Sequence, residues 1–158
     1  EGGTSVKGNR AELNRFLVEV FDEILKTEEE SLAGSFSDLS LRELHLIDAV
    51  CRAVDQGGDN RSTAIAAALG ITAGTLTSAV NLLEKKGYLL RRRDERDKRV
   101  VHLLPTERGR AADARHRDFH RQMVAHVLDG LTDEEAECTL RALGRVAEFF
   151  RRGAPERG

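Results

Sequence analysis

A chain of 158 residues with 40% hydrophobic side chains, 33% charged ones and a formal net charge of −2 suits one domain of ordinary size, or a small domain with helical extensions. No apolar run approaches the roughly 20 residues that span a bilayer, and the N-terminus lacks the charged-then-apolar pattern of a secretory signal, so a cytoplasmic protein with no membrane partner is expected. Six Phe, one Tyr and no Trp leave the core to Leu, Val, Ile and Ala. Cys51 and Cys138 lack CxxC spacing and are expected as buried reduced thiols, not as a disulfide or zinc knuckle.

In chain order, residues 1–9 read as a disordered end. Leu13, Phe16, Leu17, Val20, Phe21, Ile24 and Leu25 recur at helical spacing and predict a long amphipathic first helix. Ser40 with Glu43 has the form of a capping box and opens a second helix through Leu44, Ile47, Val50, Cys51 and Val54, stopped by Gly57-Gly58. A short helix from Ser62 or Thr63 turns inward Ile65, Ala66 and Leu69. Gly70 breaks the chain into a longer helix from Ala73 to Lys86, which Gly87 ends. Tyr88–Leu90 and Val100–Leu104 are β-prone. Thr106 then caps a long helix to about Leu128, and Thr132 with Glu135 caps a last one through Leu140, Leu143, Val146, Ala147 and Phe150. Residues 153–158 read as a second disordered end. The corresponding organisation is 10–57 for N-terminal dimerisation and support helices, 58–105 for a central core and 106–152 for C-terminal dimerisation helices.

Charge divides sharply along this chain. Residues 1–60 carry six Lys/Arg against thirteen Asp/Glu, whereas Lys85–Arg117 carry twelve against five. The segment Arg91–Arg99, RRRDERDKR, holds six cations against three carboxylates. A solvated helix face is the ordinary explanation of a basic run, but here two apolar strands flank it, so it is expected as the projecting tip of a hairpin. Phosphate binding needs such local clustering, not a basic average. Just before it, Ala64–Lys86 has the length, turn residue and patterning of a helix-turn-helix. Leu76, Val80 and Leu83 share the inner face of its second helix, while Thr75, Ser78, Asn81 and Lys85 share the outer one. By itself the pair could be an ordinary αα-corner. Followed directly by a basic-tipped hairpin, it reads as a winged helix-turn-helix, in a mainly α fold with a small β-wing, flanked by long dimerisation helices.

The stretch LGITAGTLTSAVNLLEKKGYLLRRRDERDKRVVHLLPTERGR, with the wing pattern D-x-R-D-x-R at Asp94, Arg96, Asp97 and Arg99, resembles the core of the MarR family of bacterial transcriptional regulators. The likeness extends from about Arg10 to Arg152. It implies a homodimer whose first and last two helices form the interface, and recognition helices that enter successive major grooves of a double-stranded operator. The candidate DNA contacts are then Thr72, Ala73, Gly74, Thr75, Thr77, Ser78, Asn81 and Lys85 from the helix-turn-helix, with Arg92, Arg96 and Arg99 from the wing. The resemblance implies that Arg96 probes the minor groove and that Asp97 and Arg99 also brace the wing. Pro105 stands where the family usually has Leu, which leaves the strand end open.

Within the family, Glu43–Val50, Lys98–Leu103 and His116–Glu135 resemble the Gram-positive repressors of fatty-acid biosynthesis genes. That likeness implies a hydrophobic effector, a long-chain acyl group on acyl carrier protein, held in the helical cleft of the dimer and tightening operator binding. Resemblance also reaches the zinc-responsive members, where histidines matching His45, His116 and His120 bind metal with a carboxylate that Glu28, Glu29 or Glu30 could supply. The other reading of these residues is a set of hydrogen-bonded interface histidines, with no metal or cofactor. Regulators of drug or phenolic-compound response are a further alternative. His102 and His126 have no partner at ligand spacing and are expected to be structural or exposed. The sequence contains no Gly-x-Ser-x-Gly elbow, phosphate-cradling Gly loop or His-Glu-x-x-His, so catalysis is not expected. A purely architectural helical adaptor would leave the basic wing without a use.

Overall fold

The computed structural model describes residues 10–152, and the expected disordered ends, 1–9 and 153–158, lie outside the described residues. The elements follow as α1 (Arg10–Ala33), α2 (Leu41–Asp55), α3 (Ser62–Leu69), α4 (Ala73–Lys85), β1 (Leu89–Arg93), β2 (Val101–Pro105), α5 (Glu107–Asp129) and α6 (Asp133–Arg151). This is the winged helix-turn-helix that the pattern predicts. The described residues divide into two compact units, the first ending at Phe119 and the second beginning at His120, inside α5.

The core of the first unit follows the predicted helical phases. Leu44, Ile47, Val50 and Cys51 of α2, Ile65 of α3, and Leu76, Val80 and Leu83 of α4 close on Tyr88, Leu89, Leu103 and Ala112. Removing a Leu to Ala from such a site typically costs about 2–5 kcal/mol. Cys51 is buried as expected, and burial beside the Asp113 carboxylate pushes its thiol up to about 12. Cys138 departs from expectation, for it is exposed. In the single chain no residue of α6 is fully buried, so nothing covers a small side chain there.

Both predicted capping boxes form. Ser40 N–H donates to Glu43 Oε2 at 2.8 Å while Glu43 N–H donates to Ser40 Oγ at 3.3 Å, and Thr132 with Glu135 repeats the exchange. Gly70, at φ 64°, closes α3 in the left-handed region where a side chain would be strained. The two helices on either side of it are bent by 109°.

Tyr88 joins the elements that follow. Its ring is fully buried, and its hydroxyl donates to Asp38 Oδ1 at 2.7 Å. Burial, reinforced by that carboxylate, pushes the phenol up to about 12. The Arg108 guanidinium lies 4.3 Å over the ring and also reaches Asp38. Alongside, Lys86 Nζ donates to Glu43 at 2.7 Å, so one carboxylate both caps α2 and anchors the end of α4. Burial works against ionisation of Glu43, but Lys86 and Ser40 outweigh it and hold the carboxyl below its usual range. The Tyr88 carbonyl accepts from Thr106 N–H at 3.0 Å and Thr106 Oγ1 at 3.1 Å, which starts α5. Pro105 ends β2 opposite Leu89 and leaves the strand intact.

The first half of α5 lies against α2 through charge. Arg110 and Arg117 donate to Asp55 at 2.8 and 3.3 Å, and Arg117 also reaches Asp113 Oδ2 at 2.6 Å. Among the described residues, Asp113 Oδ1 is buried without a hydrogen-bond partner. Burial raises the Asp113 carboxyl, Arg117 pulls it down, and Asp48 across the helix pair raises it again; the net direction is up from 3.8.

Two outcomes follow from these contacts. A Cβ at Gly109 would lie 2.2 Å from the Tyr88 carbonyl oxygen, so Gly109→Ala must displace backbone; a loss of roughly 1–3 kcal/mol is expected in denaturant unfolding, and an unchanged midpoint would refute the close approach. Because the folded form binds the Asp113 proton more tightly than the unfolded chain, that contribution is complete below 3.8 and is lost as pH rises through the folded value. Asp113→Asn should therefore raise the thermal midpoint at pH 8, with the gain fading towards pH 4. A variant less stable at pH 8 than at pH 4, relative to the parent, would contradict it.

Candidate nucleic-acid interface

Helix α4 presents its outer face to solvent because its inner one is consumed by Leu76, Val80 and Leu83. Thr72 caps it, its Oγ1 accepting from Thr75 N–H at 3.2 Å and lying 2.9 Å from Thr75 Oγ1. Ser78 Oγ donates back to the Gly74 carbonyl at 3.1 Å. Thr72, Ala73, Gly74, Thr75, Thr77, Ser78, Asn81 and Lys85 are all exposed. The helix N-terminus offers its positive dipole end to phosphate, and short side chains there permit close approach to base edges. Leu82, 46% exposed, shares this face, and the sequence reading missed it. An exposed apolar side chain among polar ones suits a thymine methyl.

The wing is built by its own carboxylates. Asp94 Oδ1 accepts from the N–H of Arg96 at 2.8 Å and of Asp97 at 3.0 Å, while Asp97 accepts from Arg99 Nε and Nη2, each at 3.0 Å. These hydrogen bonds, backbone donors for Asp94 and the Arg99 side chain for Asp97, hold both carboxyls below their ordinary range. Arg99 thus has the bracing place that the resemblance implies, while remaining exposed; Arg92 and Arg96 are exposed as well.

The hairpin tip is shorter than the basic run. Arg91–Arg93 lie within β1, in register with Leu103, His102 and Val101, so only the segment after them forms the turn. Strand alternation places Arg91 on the same side as buried Leu89, and it is only partly exposed. Its guanidinium is hydrogen-bonded to Glu84, to Asn81 Oδ1 at 2.7 Å and to the Thr77 carbonyl at 3.2 Å. Arg91 is therefore a clasp between β1 and α4, not a tip cation.

A third segment completes the wing. Arg61 forms a bridge with His102, and Asn60 exchanges backbone and side-chain hydrogen bonds with Leu103 at 2.9 Å each. His102 Nδ1 donates to Asn60 Oδ1 at 2.8 Å, and its Nε2 lies 3.3 Å from Asp94 Oδ2. His102 is structural, as expected. Between this brace, α3 and α4 lies a cleft of about 340 Å³ edged by Arg61, Thr77, Asn81, Arg91 and Arg99.

Away from the wing, Glu28 is buried on α1 with its Oε1 3.7 Å from His116 Nδ1, and the His45 and His116 rings are 5.4 Å apart. Glu29 and Glu30 are exposed; helix phase therefore selects Glu28 from the three candidate carboxylates. His120 follows His116 one turn later on α5.

Comparison with known proteins gives a consistent result. The profile of the MarR family matches residues 50–101. Over 91% of this chain and 99% of that one, the structure is similar to Streptococcus pneumoniae FabT, solved in complex with DNA, at 36% identity and a TM-score of 0.83. The HTH-type transcriptional regulator YcgE of Bacillus subtilis is 24% identical over 92% of this chain and 94% of its own length. Staphylococcus aureus MepR, also solved with DNA, shares the fold at 20% identity and a TM-score of 0.65, covering 85% of this chain and 96% of that one.

Among the described residues, the exposed wing arginines Arg92 and Arg96 make no side-chain ion pair, and the family resemblance implies different roles for them. Arg96→Ala should lose most sequence-specific binding, whereas Arg92→Ala should weaken all duplexes alike and reduce the salt slope by about one unit, as for one phosphate contact. Equal losses with unchanged slopes, measured by fluorescence anisotropy across a salt series, would count against this division.

Proposed function

The chain belongs to the MarR family of DNA-binding transcriptional regulators, and from that premise we propose that it is a dimeric repressor of fatty-acid biosynthesis genes whose effector is a long-chain acyl group on acyl carrier protein. It is not an enzyme. The observation that carries the finer reading is the near full-length likeness to FabT, together with the stretches Glu43–Val50, Lys98–Leu103 and His116–Glu135 that resemble the fatty-acid repressors. In this reading the exposed residues of α4 meet the operator's base edges and backbone, and Arg92, Arg96 and Arg99 meet the flanking groove and phosphates. A dimer is supported by the apolar side chains that each unit exposes. Leu13, Phe16, Phe21 and Leu25 stand out on α1, and Leu140, Leu143, Phe149 and Phe150 on α6. Burying one such side chain is worth about 1.5–3 kcal/mol, so a second copy that covers them is strongly favoured. The apolar surface of that assembly would also hold an acyl chain.

The buried Glu28 beside His116 and His45 favours a second reading, a zinc response. One carboxylate and two imidazoles are nitrogen and oxygen donors of the kind that Zn²⁺ takes in tetrahedral sites, and the family resemblance implies His120 as a further ligand. No single described helix is long and apolar enough to cross a membrane.

Operator titration separates the two. For the acyl effector, long-chain acyl carrier protein should tighten binding, and each methylene removed should weaken its effect by about 0.8 kcal/mol, roughly fourfold, with Zn²⁺ inert. For the metal reading, Zn²⁺ and chelator should act in opposition and His120→Ala should abolish the response. A complex that answers to Zn²⁺ and ignores acyl chains of every length would reverse the proposal; one that answers only to small aromatic compounds would move it to the drug- or phenolic-response regulators.

A further inference from the structure

We propose that Arg91 sets the base preference of the recognition helix by holding Asn81 in one orientation, with its amide N–H₂ turned outward as a donor. The inference rests on the assignment of α4 as the helix that enters the major groove.

An arginine guanidinium only donates hydrogen bonds. The atom of Asn81 that Arg91 Nη1 meets at 2.7 Å is therefore the carbonyl oxygen, and the chemistry of the donor settles which way the amide faces. Arg91 is itself held in place from three directions. Its Nη1 also meets the Glu84 carboxylate, its Nη2 donates to the Thr77 carbonyl at 3.2 Å, and its own backbone N–H donates to Glu84 Oε1 at 2.9 Å. Its cation is matched by Glu84 on the same helix as Asn81, three residues on, so the clasp moves with the helix surface that it orders.

Free asparagine reads adenine by accepting from N6 with its oxygen while donating to N7 with its nitrogen. With the oxygen engaged by Arg91, one of its two lone pairs is taken and its direction is fixed towards the clasp; the two-point pairing with adenine is thereby disfavoured and donation from the nitrogen remains. The edges that offer acceptors alone to a donor are guanine, through O6 and N7, and thymine, through O4. Asn81 should then select guanine or thymine at its position and disfavour adenine. Arg91 is a positioning residue here. It changes which base is preferred without meeting a phosphate, and this separates it from Arg92 and Arg96 in the same basic run.

Selection from random duplex DNA with the full chain, its Asn81→Ala, Arg91→Ala and Arg91→Lys variants, tests this. The unaltered chain should enrich guanine or thymine at the half-site position whose preference Asn81→Ala removes. Arg91→Ala should shift that one position towards adenine by about tenfold or more and leave the salt slope unchanged. Arg91→Lys keeps a charge for Glu84 and so preserves folding if the alanine variant does not fold, but a single ammonium cannot serve Thr77, Asn81 and Glu84 as the planar fork does; it should relax the same position. If Asn81→Ala leaves every base preference intact, the placement of this face of α4 in the groove is wrong, and the clasp with it. Adenine at that position with the unaltered chain, or a salt slope lowered by about one unit in Arg91→Ala, would overturn the clasp alone.

Discussion

The reading apparatus depends on the burial of one aromatic residue at the end of α4. Tyr88 is fully enclosed, and each of its polar parts is fixed to a different element. The hydroxyl is held by Asp38 in the loop before α2, the carbonyl by Thr106 at the start of α5, and the ring lies under Arg108. A buried phenol must find a hydrogen-bond partner, and this one finds its partner across the fold. The bare Cα of Gly109 lets α5 approach the Tyr88 carbonyl within a distance that no side chain would allow. Helix α4 ends just before this junction and strand β1 begins just after it, so the link between recognition helix and wing is a residue anchored in the core.

From that junction outward, charge is used for two purposes. Carboxylates neutralise some of the cations and thereby shape the surface. Asp94 and Asp97 fold the wing turn, Glu84 draws Arg91 inward, and Glu43 draws in Lys86. The exposed Arg92 and Arg96 are left to face outward. A basic segment with every cation solvated would repel itself and remain mobile; interleaved acids give it one shape. The net charge of −2 is thus compatible with a strongly cationic local surface, since repulsion between a whole negative chain and DNA is screened over about 8–10 Å at physiological salt while contacts at the wing are closer than that.

Much of this was legible before any coordinates. Periodicity placed Leu76, Val80 and Leu83 inside, and hence Thr75, Ser78, Asn81 and Lys85 outside, because a helix has a single phase once its apolar stripe is known. Ser40 with Glu43 and Thr132 with Glu135 were recognisable because a capping box is local, spanning one turn. Cys138 was misread because helical spacing alone cannot say whether a stripe is covered by the same chain. His102, bound to Asn60 forty-two residues away, offered no local signal for the brace that it forms.

What the sequence by itself determined is the set of elements, their buried faces and the presence of a basic hairpin after a helix-turn-helix, all consequences of short-range periodicity and capping. Tertiary structure decided which cations in that hairpin stay exposed and which are joints. Strand register did this: pairing Arg91 with Leu103 puts its side chain on the inward face, and a shift of one residue would have exchanged it with Arg92. It likewise chose Glu28 over Glu29 and Glu30, because only one of three consecutive helical residues can face His116. Such choices depend on distances between elements far apart in the chain, and neither composition nor spacing contains those distances.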